Sequence, residues 1–358
     1  MTATRRDFLK YASTAALAVA GGSVLAACGS SSSGSKSSKS SATTRAQVAA
    51  QKLTAMMPFP LYLNFIADLA GKSGGYMRAD GVDLDVQFAR SAPQALQELV
   101  TGRVAVIRNA PIAIVKAVSQ QGAPVVSIAM MNQEILYVLV STESKPVDDL
   151  HSLVGKTVGM ATLAGNAEDT FNFVLKEKGI DPASVKRQAV GNEAASLTFV
   201  EQGRVDAIFA TRESTASMKS AGLHPHVAEI QGANPLLGTN IVTTRENVTA
   251  KRDVLVRYLR GLHQAMVDLH DPAKLDALIP KVRHDWDLPQ LDDAKKAKPV
   301  LEKISEMWYA AGAENLLRNV PDRWAAGVAE FEKFKIAKAG TPAETFYTND
   351  LVDEALNT

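Results

Sequence analysis

The chain has 358 residues, a length that favours two domains. Hydrophobic residues make up 46% and charged residues 22%, which is enough apolar content for sizeable cores and argues against a wholly disordered chain. The 39 Lys and Arg against 38 Asp and Glu argue against a protein that coats nucleic acid, and a single cysteine cannot form an intramolecular disulfide, a CxxC redox pair or a cysteine-rich zinc site.

The first 28 residues carry an export and attachment signal. Arg5 and Arg6, followed by Asp7-Phe8-Leu9-Lys10, form a twin-arginine (Tat) export motif. A small, apolar run without charges then suits a signal peptide, and it is marginal as a spanning helix. The run ends in small residues before Cys28, an arrangement similar to the lipobox of bacterial lipoproteins. We therefore predict a Tat-type lipoprotein signal peptide over residues 1–27 and lipidation of Cys28; the alternative is a chance cysteine in an ordinary signal.

Residues 28–45 are rich in Ser and Gly and predict a flexible tether. The signal implies export by the Tat translocase, processing by the lipoprotein machinery and attachment to the membrane through acyl chains such as palmitate. The body of the protein would then lie in the periplasm or on the extracellular face. No later segment is apolar over enough residues to span a bilayer.

The body opens with alternating strand and helix patterns. Short apolar or alternating runs predict strands, and longer amphipathic runs predict helices. The strands fall at 52–57, 82–88, 104–107, 124–131 and 135–140, and the helices at 61–72, 93–100 and 111–119. This succession indicates an α/β fold with largely parallel sheets.

A second set of the same kind follows, and then a helical region. Strands are predicted at 157–160, 185–190, 205–209 and 226–230, and helices at 166–178, 193–202 and 211–220. Beyond residue 247 the pattern is almost entirely helical, with helices at 250–270, 273–282, 292–309 and 321–335. Two α/β sets of similar organisation indicate two lobes.

Several phrases, in order along the chain, resemble one family. They are Gly75-Tyr76-Met77 with Gly81-Val82-Asp83-Leu84, the stretch from Asp149 to Gly159, Gly179-Ile180-Asp181-Pro182, Gly203-Arg204-Val205-Asp206-Ala207, and Tyr347-Thr348-Asn349-Asp350-Leu351-Val352. Over roughly residues 50–355 the chain resembles the NMT1/THI5-like substrate-binding proteins of ABC transporters, the nitrate, sulfonate, taurine and pyrimidine-precursor binders.

This resemblance implies a type II periplasmic binding protein fold, in which two α/β lobes are joined by two crossing strands. We expect lobe 1 to comprise residues 46–138 and 236–358, with the helical C-terminus packed on it, and lobe 2 to comprise residues 139–235. The crossing strands would lie near residues 135–140 and 238–242.

Ligands of open α/β sheets lie beyond the carboxyl ends of the strands, near helix N-termini. The strand-to-helix loops therefore nominate ligand-binding residues: Pro58, Phe59, Tyr62, Arg90, Ser91, Asn109, Asn132, Thr162, Gly165, Asn166, Asn192, Glu193, Thr211 and Arg212.

Each nomination has an alternative explanation. Arg90, Arg108 and Arg212 could grip an anionic group in bidentate fashion, or could be solvated surface arginines. Ser91, Asn109 and Thr211 could only cap helices. Phe59 and Tyr62 could stack on a ligand or pack in the core. Glu193 could read a ligand N–H, or only stabilise a helix dipole.

The motifs do not indicate catalysis. The six histidines are scattered, and the sequence has no HExxH, GxSxG or P-loop phrase. We expect no catalytic residue, metal or cofactor, and a monomeric solute-binding lipoprotein whose partners are an ABC permease and its cytoplasmic ATPase. The ligand would be a small organic molecule, a sulfonate, a carboxylate or a heteroaromatic compound. The alternatives are an envelope enzyme on the same fold, such as a dehydratase or pyrimidine-synthase relative, and a ligand sensor without a transport role.

Overall fold

The computed structural model describes residues 50–357, so the predicted signal peptide, the tether and Cys28 lie outside the described residues. The strands of the described region are β1 (Gln51–Met57), β2 (Val82–Phe88), β3 (Val106–Asn109), β4 (Val125–Met130), β5 (Tyr137–Thr142), β6 (Thr157–Met160), β7 (Lys186–Ala189), β8 (Ala207–Thr211), β9 (Pro225–Ala228) and β10 (Asn240–Thr244).

These strands form two five-stranded sheets. The first sheet has the order β2-β1-β3-β10-β4, and the second has the order β7-β6-β8-β5-β9. In each sheet the first three strands pair in parallel, while β10 and β5 are antiparallel to both of their neighbours. The α/β class predicted from the sequence is confirmed. The sheets are mixed rather than largely parallel, because each contains one central strand that runs against its neighbours.

The helices cover the sheets and form the C-terminal part of the described chain. They are α1 (Ile66–Ser73), α2 (Tyr76–Ala79), α3 (Ala92–Val100), α4 (Pro111–Gln121), α5 (Asn166–Glu177), α6 (Leu197–Glu201), α7 (Arg212–Ser220), α8 (Arg245–Ala250), α9 (Arg252–His270), α10 (Pro272–Asp285), α11 (Ala294–Tyr309), α12 (Pro321–Lys333) and α13 (Asp350–Leu356). The helical C-terminus predicted from residue 247 onward is thus present.

The long helix α9 holds the C-terminal helices against the first sheet. It packs on α1, α2 and α13, and α13 also contacts β4. One C-terminal helix reaches further, since α11 packs against α7 beside the second sheet. Fully buried aromatic side chains, among them Trp308 of α11 and Trp324 of α12, fill the space between these helices and the sheets.

One strand boundary changes the environment of a nominated loop. The sequence pattern predicts a strand over 104–107, but β3 spans Val106–Asn109. The Val104 N–H donates instead to the Glu98 carbonyl of α3, and the Ala105 N–H donates to the Thr54 carbonyl of β1. Arg108 therefore belongs to the strand, and it is only 2% exposed.

Among residues 50–357, no helix has the length and hydrophobicity that crossing a bilayer requires.

Candidate functional site

A cavity of about 360 Å³ opens where the carboxyl edges of the parallel strands of both sheets meet. Its walls come from the segments after β1, β6 and β7, the last residues of β3 and β8, and the segments that lead into β5 and β10. The lining residues are Pro58, Phe59, Pro60, Leu61, Tyr62, Asn64, Phe65, Arg108, Asn109, Ala110, Leu136, Tyr137, Ala161, Thr162, Asn166, Ala167, Gly191, Asn192, Glu193, Thr211, Gly238 and Thr239. The volume and the position of this cavity are those of a small-molecule site in an α/β protein.

The segment that follows β1 supplies the apolar wall of the cavity. Pro58 and Pro60 prevent a helix from starting directly after the strand, so the chain stays irregular until a short 3-10 helix at Leu63–Phe65. This irregular stretch places Phe59 and Tyr62 at the cavity, both half-buried. An aromatic and proline-rich wall favours a ligand with an apolar or aromatic portion.

Tyr62 connects the two sides of the cavity. Its hydroxyl donates a hydrogen bond of 3.1 Å to the backbone carbonyl of Asn192 and lies 3.3 Å from the hydroxyl of Ser214. The Ser214 hydroxyl donates in turn to Asn192 Oδ1 at 2.7 Å. Burial, together with the nearby Glu213 carboxylate, raises the pKa of Tyr62 well above its ordinary value, so the phenol stays protonated and acts as a donor.

A second contact joins the two sides beneath Tyr62. The side-chain amide of Asn64 donates a hydrogen bond of 2.6 Å to Glu213 Oε1 in the first turn of α7. Glu213 is fully buried, and burial raises the pKa of its carboxyl above the ordinary value. The position of Glu213 next to the cavity makes the protonation state of this acid relevant to ligand binding.

Arg108 brings a cationic group to the cavity. Its Nη1 donates to the backbone carbonyl of Asn64 at 3.0 Å and lies 3.5 Å from Asp68 Oδ2. Asp68 is fully buried and accepts a hydrogen bond of 2.7 Å from the Tyr258 hydroxyl. Burial raises the pKa of Asp68, and the charge of Arg108 opposes that shift. The guanidinium is therefore held rigidly and is partly compensated by a buried acid.

The segment before β10 approaches the cavity closely. A Cβ atom on Gly238 would lie 2.0 Å from the backbone oxygen of Asn132, so no larger residue fits at this position. The Thr239 hydroxyl donates to Asn132 Oδ1 and lies 3.5 Å from Arg108 Nη2. Asn132 thus orients Thr239, which lines the cavity.

The structure brings nine of the sequence-predicted site residues to this cavity. They come from five strand-to-helix segments beside both sheets: Pro58, Phe59, Tyr62, Asn109, Thr162, Asn166, Asn192, Glu193 and Thr211.

The other five predicted residues lie elsewhere. Arg90 is exposed, and Ser91 caps α3 by accepting from the Gln94 backbone N–H. Gly165 lies at the start of α5, where it lines a neighbouring groove. Arg212 donates to Glu229 and to the backbone of Ile135, which holds it outside the cavity. Asn132 is buried behind Thr239.

Sequence reasoning did not select several residues that line or support the cavity. Asn64 and Tyr137 line it directly, and Glu213 and Asp68 support it from behind. Tyr137 looks like a core residue because it opens an apolar strand, and its ring stacks on Phe209 with centroids 4.5 Å apart. Asp68, an acid within an apolar run, was an available signal, since buried acids need a partner. Glu213 stands among polar residues in the sequence and gave no such signal.

The cavity offers no set of metal ligands. Within the described part of the chain, no group of three or more His, Cys, Asp or Glu side chains is placed to hold a metal ion. The residues that line the cavity include no histidine, cysteine or serine. Hydrogen-bonding, aromatic and charged groups are what it presents to a ligand.

The sequence matches one family. Residues 63–274 match the family described as NMT1/THI5 like. No curated protein gives a significant sequence match to this chain.

Solved structures share the fold at low sequence identity. A protein from Bordetella bronchiseptica RB50 gives a TM-score of 0.65 at 16% identity, covering 85% of this chain and 96% of that one. The alkanesulfonate-binding protein SsuA from Xanthomonas axonopodis pv. citri, bound to MOPS, gives 0.57 at 15% identity, covering 86% and 98%. The periplasmic nitrate-binding protein NrtA from Synechocystis PCC 6803 gives 0.60 at 12% identity, covering 86% and 89%.

Proposed function

The chain belongs to the NMT1/THI5-like family and has the type II periplasmic binding protein fold, and from that premise we propose that it is the extracytoplasmic solute-binding component of an ABC importer. The single observation that carries this proposal is the cavity of about 360 Å³ built from the carboxyl edges of both sheets. A cavity between two sheets suits a protein that captures its ligand by closing two lobes around it.

The ligand we propose is a small organic molecule with an anionic group and an apolar or aromatic portion. Phe59, Tyr62 and Phe65 supply the apolar wall. Arg108 is the cationic group in the lining, and its Nε has no hydrogen-bond partner among the described residues. A sulfonate or carboxylate would pair with this guanidinium, and a heteroaromatic ring would stack on the wall.

The compensation of Arg108 by Asp68 limits how strongly an anion is held. When Asp68 is charged, it offsets part of the guanidinium charge at 3.5 Å. Hydrogen bonds from Tyr62, Asn109 and the other polar lining groups would then have to supply part of the specificity. This balance favours singly charged anions such as sulfonates and carboxylates over a doubly charged phosphate.

We propose that the chain binds its ligand without changing it. The lining contains no serine, cysteine or histidine, and its aliphatic hydroxyl groups are those of three threonines. Burial raises the pKa of the Tyr62 and Tyr137 phenols, so both stay protonated and do not act as bases.

The two lobes of this proposal are those predicted from the sequence, with residues 46–138 and 236–358 in one and 139–235 in the other. Contacts such as Tyr62 with Asn192 and Asn64 with Glu213 would form when these lobes close. The closed, loaded protein would act as a monomer and dock on a permease whose ATPase lies in the cytoplasm.

Membrane attachment completes the proposal. Tat export and acylation of Cys28 would place the body outside the cytoplasm, on the Ser- and Gly-rich tether of residues 28–45. The near-balance of 39 basic against 38 acidic residues gives electrostatic attraction little part in this attachment, so the acyl chains would provide it.

Calorimetry and thermal unfolding against a panel of sulfonates, aromatic carboxylates and pyrimidines test the function. We expect at least one class to bind and to raise the unfolding temperature. Failure of every small solute to stabilise the chain would contradict the proposal. Conversion of a bound compound into a product would favour the enzyme alternative.

A further inference from the structure

A second cavity lies next to the first. This groove has a volume of about 510 Å³ and runs between α3, α4 and the start of α5. Its walls are mostly apolar, and its lining includes Pro93, Leu96, Val100, Ala113, Ala117 and Pro124.

The only charged side chains in the lining of the groove neutralise each other. Lys116 Nζ lies 3.3 Å from Asp169 Oδ1, and this ion pair links α4 to α5. The groove therefore presents an apolar surface without an uncompensated charge. Val100 on its wall is 44% exposed, which is unusual for a large apolar side chain among the described residues.

Two asparagines lie between the groove and the first cavity and line both of them. Asn109 lies at the end of β3, and Asn166 lies at the start of α5. They are only 2% and 6% exposed. Asn109 Oδ1 accepts from the Ala110 N–H at 2.9 Å, but within the described region the Asn109 amide nitrogen and the Asn166 side chain have no hydrogen-bond partner. These amide groups are therefore free to bind a polar atom of a ligand or water.

We propose that the groove is the second half of the ligand site, and that the natural ligand is an amphiphile. Its compact polar head occupies the inner cavity, a polar atom next to the head contacts Asn109 and Asn166, and an aliphatic or alkylaryl chain lies along α3 and α4. This inference rests on the proposed function and names the ligand class for it. The occupant is one molecule that fills both spaces, because the same two amides border both.

The test compares each head group with its octyl derivative, on the full chain. The three pairs are ethanesulfonate with octanesulfonate, benzoate with para-octylbenzoate, and thymine with N-octyl thymine. Each methylene buried in the groove raises affinity about fourfold. For the head group that binds, we expect calorimetry to show that its octyl derivative binds at least about tenfold tighter than the short compound. The gain is smaller than full burial of the octyl chain would give, because part of the chain stays exposed.

Two variants test whether the octyl chain gains its affinity in the groove. Val100→Asp puts a charge on the exposed wall of the groove, and Ala113→Trp fills part of its volume. Val154→Asp is the matched control, because Val154 is also about half exposed, at 53%, and does not line the groove. We expect both groove variants to abolish the gain in affinity from the octyl chain and to leave the affinity for the short head group unchanged. Both should still unfold cooperatively, and the control variant should keep the full gain in affinity.

The outcomes separate this inference from the proposed function. If a short head binds and its octyl derivative gains nothing, the amphiphile is wrong although the solute receptor stands. The same holds if the gain survives in Val100→Asp and Ala113→Trp, or if these variants weaken short and long ligands equally. If neither short nor long members of any pair bind, the proposed function fails and the inference falls with it.

Discussion

The side-chain amide of Asn64, just before α1, donates a hydrogen bond of 2.6 Å to Glu213 Oε1 at the start of α7. The bond joins segments that are 149 positions apart in the sequence and that flank the two different sheets. A buried acid depends on such a partner, because a carboxyl group without hydrogen bonds is costly away from water.

Asn64→Ala leaves Glu213 Oε1 without this donor. We expect the free energy of unfolding to fall by about 1–3 kcal/mol, the cost of an unsatisfied buried group. Urea unfolding at neutral pH measures it, with Asn357→Ala at the exposed C-terminal end as control. The companion variant Glu213→Gln keeps the shape of the side chain but removes the buried acid. If Glu213→Gln is only as stable as Asn64→Ala at high pH, this account is contradicted.

Exchange of the acid behind Arg108 should strengthen anion binding. Asp68→Asn removes the charge that lies 3.5 Å from the guanidinium but keeps an oxygen that can accept from Tyr258. We expect the affinity for the best organic anion to rise about threefold or more, because the guanidinium is then uncompensated. Calorimetry measures it, and Asp83→Asn on the exposed face of β2 is the control.

The reverse exchange should damage both folding and binding. Arg108→Gln leaves Asp68 buried without its cation, which costs about 3–5 kcal/mol of folding free energy and removes the anion contact. The double variant with Asp68→Asn should recover most of the stability but none of the anion affinity. Recovery of anion binding in the double variant would show that Arg108 is structural only.

Tyr62→Phe tests the contact across the cavity. The substitution keeps the ring and removes the hydroxyl that donates to the Asn192 carbonyl at 3.1 Å. We expect ligand affinity to fall about fivefold, equivalent to a net loss of about 1 kcal/mol for one hydrogen bond. Tyr309→Phe, whose ring stacks on His270 away from the cavity, is the control. Unchanged affinity in Tyr62→Phe would show that the bond has no part in closing the site.

Stability should fall as the pH rises through neutrality, because of Glu177. Burial raises the pKa of Glu177 from 4.5 to about 7. A carboxyl group whose pKa is higher in the folded than in the unfolded chain stabilises the fold below the unfolded value, and this contribution is lost as the pH rises through the folded value. We therefore expect the wild-type chain to be more stable near pH 5 than near pH 8.

The variant Glu177→Gln should remove this dependence. At high pH it should be more stable than the wild type by about 1 kcal/mol, since the side chain is only partly buried and solvent screens its charge. Thermal unfolding across the pH range measures it, with the exposed Glu201→Gln as control. An unchanged slope in Glu177→Gln would assign the pH dependence to other groups.

Cys28→Ser tests the proposed anchor. Without the thiol no thioether-linked lipid can form, so the protein should move from the membrane fraction to the soluble fraction of the envelope. Fractionation of cells that express the wild type and the variant measures it, and a conservative Ser30→Thr change two positions away is the control. Membrane retention of a Cys28→Ser protein from which residues 1–27 have been removed would contradict attachment through this cysteine.

Local patterns predicted much of the fold. Alternation and apolar runs located most strands within two residues, and β2 and β6 are exact at both ends. Ser91 is an N-cap and Pro111 opens its helix, because a cap and an N1 proline act on their own turn. The mixed sheets were missed, since the direction of β5 and β10 depends on which strands they join far away in sequence.

At the candidate site, too, local sequence patterns predicted some residues and only the fold decided the others. Phe59, Asn109 and Thr211 were found because strand ends are visible in the sequence and carboxyl edges gather ligands. Arg90 and Arg212 looked equivalent to Arg108 in sequence, and only the fold separates them. Arg90 projects into solvent, Arg212 is held by Glu229, and Arg108 faces the cavity because β3 ends two residues later than its pattern indicates.

The sequence by itself determined the α/β class, the helical C-terminus and the loops that gather at the strand ends, because each follows from the order of apolar and polar residues over a few turns. The tertiary structure alone decided which arginine lies at the cavity, which acid compensates it, and how Tyr62 and Asn64 reach across to the second sheet. Those relationships join residues dozens to more than a hundred positions apart, and the contacts of Tyr62 and Asn64 form only when the two sheets come together.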